Sequence, residues 1–222
     1  MFNKVAPQIS SVQKVTKPEK EILWPAQQGF GNLRNGDLSK FPEMEAIISR
    51  KHAENTNPLQ TFWATFSSAQ ERLWIIDPYF FNPEKNKGSK QDRIKFVIDQ
   101  LHETLEAYDI KIITKSHNTI TNKNVDDDIL RQFKEHVLLL NGLRVKGQEK
   151  CNIDIKFNLT TNFDHIHDRF AIIDDELWHF GATVGGFHSQ VSAASRGWDA
   201  SEHGAIEFFN LVWSAEGTVG KK

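Results

Sequence analysis

Cysteine is almost missing from this chain: Cys151 is the single one in 222 residues, so no internal disulfide can brace the fold. At this length an apolar core can carry stability unaided. Long apolar runs are missing as well. None approaches the roughly 20 residues needed to cross a bilayer, and Met1-Phe2-Asn3-Lys4 opens into a polar segment instead of a signal peptide's apolar stretch. The expectation is a soluble, cytoplasmic protein with no transmembrane segment. Net charge is nearly absent: 27 Lys+Arg against 29 Asp+Glu leave −2. That removes any global pull toward nucleic acid or membrane, so an anionic ligand must be held by a local cluster. There is no internal repeat, and no cofactor or resident metal is expected.

What is present is an alternation of strand and helix patterns. Residues 1 to about 40 carry Pro7, Pro18, Pro25, Gly29, Gly31 and Gly36 among polar residues, which predicts an extended arm. Its Ile22, Leu23, Trp24 and Phe30 are suited to clip onto the domain or onto a partner. Two helices follow, one on Met44, Ile47 and Ile48, the other on Leu59, Phe62, Trp63 and Phe66. Leu73 to Ile76, closed by Asp77-Pro78-Tyr79, reads as a buried strand. Ile94, Val97, Ile98, Leu101 and Leu105 form an amphipathic helix leading into the strand Ile110 to Thr114, a parallel crossover. Ile129 to Leu140 is a further helix, expected to stop at an αL cap near Asn141-Gly142. Cys151 to Leu159 alternates as a strand, 169–173 and 177–183 form a hairpin about Asp174-Asp175-Glu176, and a helix over Ala205 to Trp213 closes the chain. The predicted fold is α/β, a mixed, largely parallel sheet flanked by helices. The organisation is 1–58 arm and helix, 59–216 α/β domain, 217–222 tail.

The densest set of reactive side chains lies between Thr160 and Gly186: Asp164, His165, His167, Asp168, Arg169, Asp174, Asp175 and His179. If 167–173 is extended, His167 and Arg169 fall on one face, with Asp174 at the following turn. The spacing His167-x-Arg169-x4-Asp174 resembles the motif of the phospholipase D superfamily, which is His-x-Lys-x4-Asp. Gly181-Ala182-Thr183-Val184 stands where that family carries Gly-Ser-x-Asn, and the Asp77-Pro78-Tyr79 strand end and the order of elements over roughly 60–215 extend the likeness. The resemblance implies a metal-independent phosphodiesterase or nuclease in which His167 attacks phosphorus, Arg169 neutralises the nonbridging oxygens and Asp174 orients a His. With one motif copy, it implies a site completed across a homodimer, unless a second protein supplies the other half. Thr183, Lys115, Ser116 and His165 are further candidates for binding a phosphodiester such as nucleic acid, aided by the loop lysines Lys85, Lys87, Lys90 and Lys123.

Other readings of the same residues stand beside this one. Arg is not equivalent to Lys at a tight site, and Ala182 and Val184 replace two polar residues, so a catalytically inactive binding or scaffolding domain is the alternative. His165 and His167 at alternate positions could instead be ligands of a zinc hydrolase, with His179 or Asp164. Arg169 and Asp174 could be no more than a hairpin ion pair. Asp126-Asp127-Asp128 is read as a helix start, where carboxylates complement the dipole. Of the six Trp residues, Trp198, in the Gly- and Ser-containing segment 185–201, is the one best suited to contact a ligand.

Overall fold

A run of apolar residues needs cover on both faces, and Leu73, Trp74, Ile75 and Ile76 receive it at the middle of the sheet. A computed structural model describes residues 19–25, 44–53, 57–83, 88–160 and 163–215. In chain order the elements are β1 (Glu21–Leu23), α1 (Met44–Lys51), α2 (Gln60–Ser67), β2 (Arg72–Ile76), α3 (Lys90–Gln100), β3 (Asp109–Ile113), α4 (Val125–Leu143), β4 (Asn152–Lys156), β5 (Arg169–Ile173), β6 (Glu176–Phe180), β7 (Ala194–Asp199) and α5 (Ala205–Ser214). The strands form one mixed sheet in the order β1-β7-β6-β5-β2-β3-β4. The α/β class and the mixed sheet are as the sequence predicts. The parallel share is smaller than expected: β2–β3 and β3–β4 are parallel, while the other pairings are antiparallel. The strands that tip the balance, β1 and β7, come from segments whose prolines, glycines and serines had hidden them.

Both faces of the sheet are packed. On one, Phe62, Phe66, Ile94, Val97, Ile129 and Phe133 of α2, α3 and α4 close over Leu73, Ile75, Ile110, Ile112 and Trp178. On the other, Phe209 and Val212 of α5 cover Trp74, Ile76, Ile113, Phe170 and Ile172, with Trp74 and Phe209 stacked at 4.8 Å. Helix α3 begins with a full capping box between Ser89 and Asp92. Helix α4 opens on Asp126, Asp127 and Asp128, as dipole complementarity predicts. It does not stop at Asn141-Gly142. It continues one residue further, to Leu143, and the Arg144 side chain beyond it donates to the carbonyls of Leu105, Glu106, Ala107 and Glu149, none of them in the helix. No left-handed residue is used at this end: the Arg144 backbone is extended and its N–H donates to the Leu140 carbonyl.

Part of the N-terminal arm clips onto the domain. Strand β1 pairs with β7, Glu21 opposite Arg196 and Leu23 opposite Ala194, and Leu23 is fully buried. Phe30 lies outside the described residues. The pairing depends on Gly197, whose φ is +90° and where a Cβ would come within 2.4 Å of the Glu19 carbonyl oxygen. Gly197→Val is therefore expected to expel β1. The loss contains the burial of Leu23, about 2 kcal/mol, together with the strain of a β-branched residue at that φ, and would be read as lowered urea stability with new proteolysis within residues 19–25. Unchanged stability and protection would show that the β1 pairing does not depend on Gly197. Trp198 lies in β7 with Lys20 over its ring at 5.8 Å, so it is part of this seam and not of a ligand loop.

Candidate functional site

The carboxyl end of β2 places Asp77 where the sheet changes direction, since β3 lies parallel on one side and β5 antiparallel on the other. Crevices at such points are where open α/β sheets accept ligands. Asp77 is fully buried. Its Oδ1 accepts the Tyr79 N–H at 2.7 Å and its Oδ2 the Val184 N–H at 2.8 Å. Burial pushes its carboxyl up to about 6, against the opposing pull of those two N–H groups and of the Arg169 and Arg93 guanidiniums. Asp77 thus ties the end of β2 to the turn after β6, near the two arginines.

Register brings Arg169 to this place. Phe170 pairs with Ile76, so Arg169 begins β5 beside Asp77. Its Nε stands 3.9 Å from Asp77 Oδ1, too far for a hydrogen bond. That Nε is buried and makes none. The guanidinium carbon sits 5.0 Å from the centre of the Tyr79 ring, and Lys115 Nζ, from the end of β3, lies 5.3 Å from the same ring. Tyr79 itself is 39% exposed. Two cations therefore share one half-open aromatic ring over a buried carboxylate.

His167 approaches from another direction. The strand begins only at Arg169, and the preceding residues turn, with the Ile166 N–H donating to the Phe163 carbonyl. Strand alternation therefore does not govern His167, and no polar contact links it to Arg169, Asp77 or Asp174. It is exposed and lines an open cleft of about 440 Å³ with His165, Asp168, Phe163 and, from α5, Phe208 and Leu211. Among the described residues it makes no hydrogen bond or ion pair. His165 is 76% exposed beside Asp164 at 3.7 Å, and Asp168 stands 3.7 Å from His179. Among the described residues no three His, Cys, Asp or Glu side chains converge as a metal site requires.

Asp174 does not join this group. It lies beyond the opposite end of β5, about 16 Å from Arg169 at a strand's rise per residue. Its carboxylate accepts the backbone N–H groups of Gln70, Glu71 and Arg72 at 2.7 to 3.2 Å, and with φ at 53° it forms the left-handed corner of the β5–β6 hairpin. It makes no hairpin ion pair with Arg169. Ser116 is committed locally: its Oγ donates to Asp126 and its N–H to Thr160 Oγ1. Thr183 is half-buried in the turn that Asp77 anchors at Val184. Ala182 and Val184 are buried there, Val184 completely, so these positions face the core and not a ligand. Lys85 and Lys87 lie outside the described residues.

Sequence reasoning placed the motif residues but missed Asp77, Tyr79 and Arg93 as its neighbours. The available signal was a carboxylate directly following four buried apolar residues at a strand end, a position that has to be either bonded or functional.

No family model matches the sequence, and no curated protein matches it. Among solved structures, the chain is similar to TrmBL2, an archaeal chromatin protein described as showing a novel mode of DNA binding, at 12% identity over 71% of this chain and 49% of that one, with a TM-score of 0.37. It is also similar to phosphatidylserine synthase from Haemophilus influenzae Rd KW20, at 13% identity over 68% of this chain and 34% of that one, with a TM-score of 0.44. The chain spans about half the length of the first and about a third of the second.

Proposed function

We propose that this chain is a phosphate-ester-handling protein of the phospholipase D type, acting as a metal-independent phosphodiesterase with a nucleic acid as its substrate. The observation that carries the reading is Arg169, whose guanidinium makes no hydrogen bond among the described residues yet is held at the end of the sheet against buried Asp77 and over Tyr79. A cation left without hydrogen-bond partners at such a place suits an incoming oxyanion, which the planar fork can hold bidentately. The exposed and unbonded His167 two residues away supplies the nucleophile. Its ring nitrogen forms a P–N bond as the ester P–O bond breaks, and a second histidine gives the leaving oxygen its proton. Water, giving a proton back to the second histidine, then attacks phosphorus as the P–N bond breaks, restoring both histidines. One copy of the motif provides one such histidine, so the working site is assembled by two copies about a two-fold axis. The α5 side of the cleft beside His167, with Leu211 63% exposed, offers apolar surface for that contact.

The test is hydrolysis of an aryl phosphodiester and of single- and double-stranded nucleic acid in the presence of chelator, with unsubstituted protein and His167→Ala each verified as a folded dimer. Chelator-resistant turnover that falls at least about a thousandfold in the variant is expected. Turnover that survives the substitution would remove His167 from the reaction, and turnover lost to chelator would favour a metal hydrolase. A second reading is favoured by the burial of Ala182 and Val184, which leaves that turn with fewer polar groups to offer a substrate. In it the domain binds a phosphate-bearing partner without turning it over, and phosphate binding with no hydrolysis in either protein would select it.

A further inference from the structure

We propose that Lys115 is the second cation of the anion site, holding a single phosphate group jointly with Arg169, and that Tyr79 is the positioning ring that keeps the two side by side. The inference rests on the phosphate-ester reading and deepens it by assigning a residue outside the His-x-Arg-x4-Asp motif. Lys115 is not on a loose loop. Its backbone bridges Asn158, and on either side the Leu159 N–H donates to the Thr114 carbonyl and the Ser116 N–H to Thr160 Oγ1. Thr114, the residue before it, is fully buried. The root of the side chain is therefore fixed at the carboxyl end of β3, next to the end of β2 that holds Tyr79.

The charges favour an anion between the two side chains. Both cationic groups lie near the same ring, at 5.3 and 5.0 Å from its centre, so their separation is at most about a Debye length at 0.1 M salt. Among the described residues the Lys115 side chain has no ion-pair or hydrogen-bond partner, and the Arg169 side chain has only Asp77, at 3.9 Å. That carboxylate already accepts two backbone N–H groups and is sealed from solvent. Arg169 thus has one distant counter-charge, shared with Arg93, and Lys115 beside the same ring has none among the described residues, so both are left to a ligand. A planar carboxylate would be satisfied by the arginine fork alone, whereas a tetrahedral phosphate carries further oxygens for the compact, rotatable ammonium.

Binding is measured by calorimetric titration of thymidylyl-thymidine, and separately of inorganic phosphate, into the His167→Ala protein, where no turnover intrudes. The same titrations are made with Lys115→Gln, Lys115→Arg or Tyr79→Leu added, at low and raised salt. Lys115→Gln is expected to weaken binding of the diester about tenfold or more and to make its salt dependence shallower. Lys115→Arg should recover most of that loss, which a merely structural role would not predict, and Tyr79→Leu should weaken binding with the salt dependence retained. Equal binding by Lys115→Gln and its parent, or no binding of either probe by the parent, would overturn the assignment. The two proposals fail separately. Diester binding that depends on Lys115 in a chain that hydrolyses nothing would sink the hydrolytic reading alone. Turnover and binding untouched by Lys115→Gln would sink this one alone.

Discussion

Asp174→Ala is expected to lower the stability of the fold by about 2–4 kcal/mol, as the loss of several charge-assisted hydrogen bonds and a left-handed corner. Activity per folded molecule should change little. The carboxylate gathers the N–H groups of Gln70, Glu71 and Arg72 at the entry to β2. Its own N–H donates to the Arg72 carbonyl. It therefore ties the β5–β6 corner to the first residue of β2, and so fixes the β2–β5 register that brings Arg169 beside Asp77. The side chain is only half-buried, which keeps the expected loss below that of a sealed network. Asp174→Asn tolerates the positive φ and keeps one acceptor oxygen, so it should lose about half as much. Denaturant unfolding of the three proteins, with turnover normalised to folded dimer, checks the prediction. A large fall in turnover without loss of stability would return Asp174 to the chemistry.

That result bears on how far the site can be read from sequence. The spacing of His167, Arg169 and Asp174 is plain in the chain, but strand alternation alone would put His167 and Arg169 on one face, and the family analogy would put Asp174 to work on a histidine. Neither follows once it is known where the strand begins and ends. Turn formation over Phe163 to Ile166 takes His167 out of the strand, and five residues of extended chain carry Asp174 to the far end. The helices and the strands β2 to β6 were legible because their apolar periods are clear. Strands β1 and β7 were not, because Glu21–Leu23 is short and stands among prolines, while Gly197 interrupts β7 for the sake of close contact with β1. The grouping of neighbours about Arg169 could not be read, although Lys115 stands among the binding candidates and Asp77 at the end of an apolar strand. Asp77, Tyr79 and Lys115 come from the ends of two other strands, and only the sheet order makes them adjacent.

The same strand ends predict an unusual response to acid. Asp77 and His117 are both buried, and burial drives their titrations toward each other: the carboxyl rises to about 6, while the imidazole falls to about 4. His117 is 4% exposed, with Nδ1 3.1 Å from Asn82 Oδ1 and the rings of Phe81 and Phe157 nearby. Lys90 reinforces its fall and Asp126 opposes it. For Asp77, whose folded value is raised, the stability it contributes is fully present below its ordinary value near 4 and is lost as pH rises through about 6. For His117, whose folded value is depressed, the contribution is fully present above about 6.5 and is lost as pH falls through about 4. Each spans roughly two units, on the order of 3 kcal/mol at the limit, with opposite signs across one window, so in the unsubstituted chain they largely cancel. Removing either should expose the other. Relative to the parent, His117→Gln should gain stability progressively as pH is lowered from 6.5 to 4. Asp77→Asn should lose stability over that range, on top of a constant penalty because an amide cannot accept both the Tyr79 and Val184 N–H groups. Urea unfolding at half-unit steps between pH 4 and 7.5 would show the two difference curves diverging. Curves that run parallel to the parent for both variants would mean that neither group is desolvated as its position implies, and the buried carboxylate that anchors Arg169 would then have to be sought elsewhere.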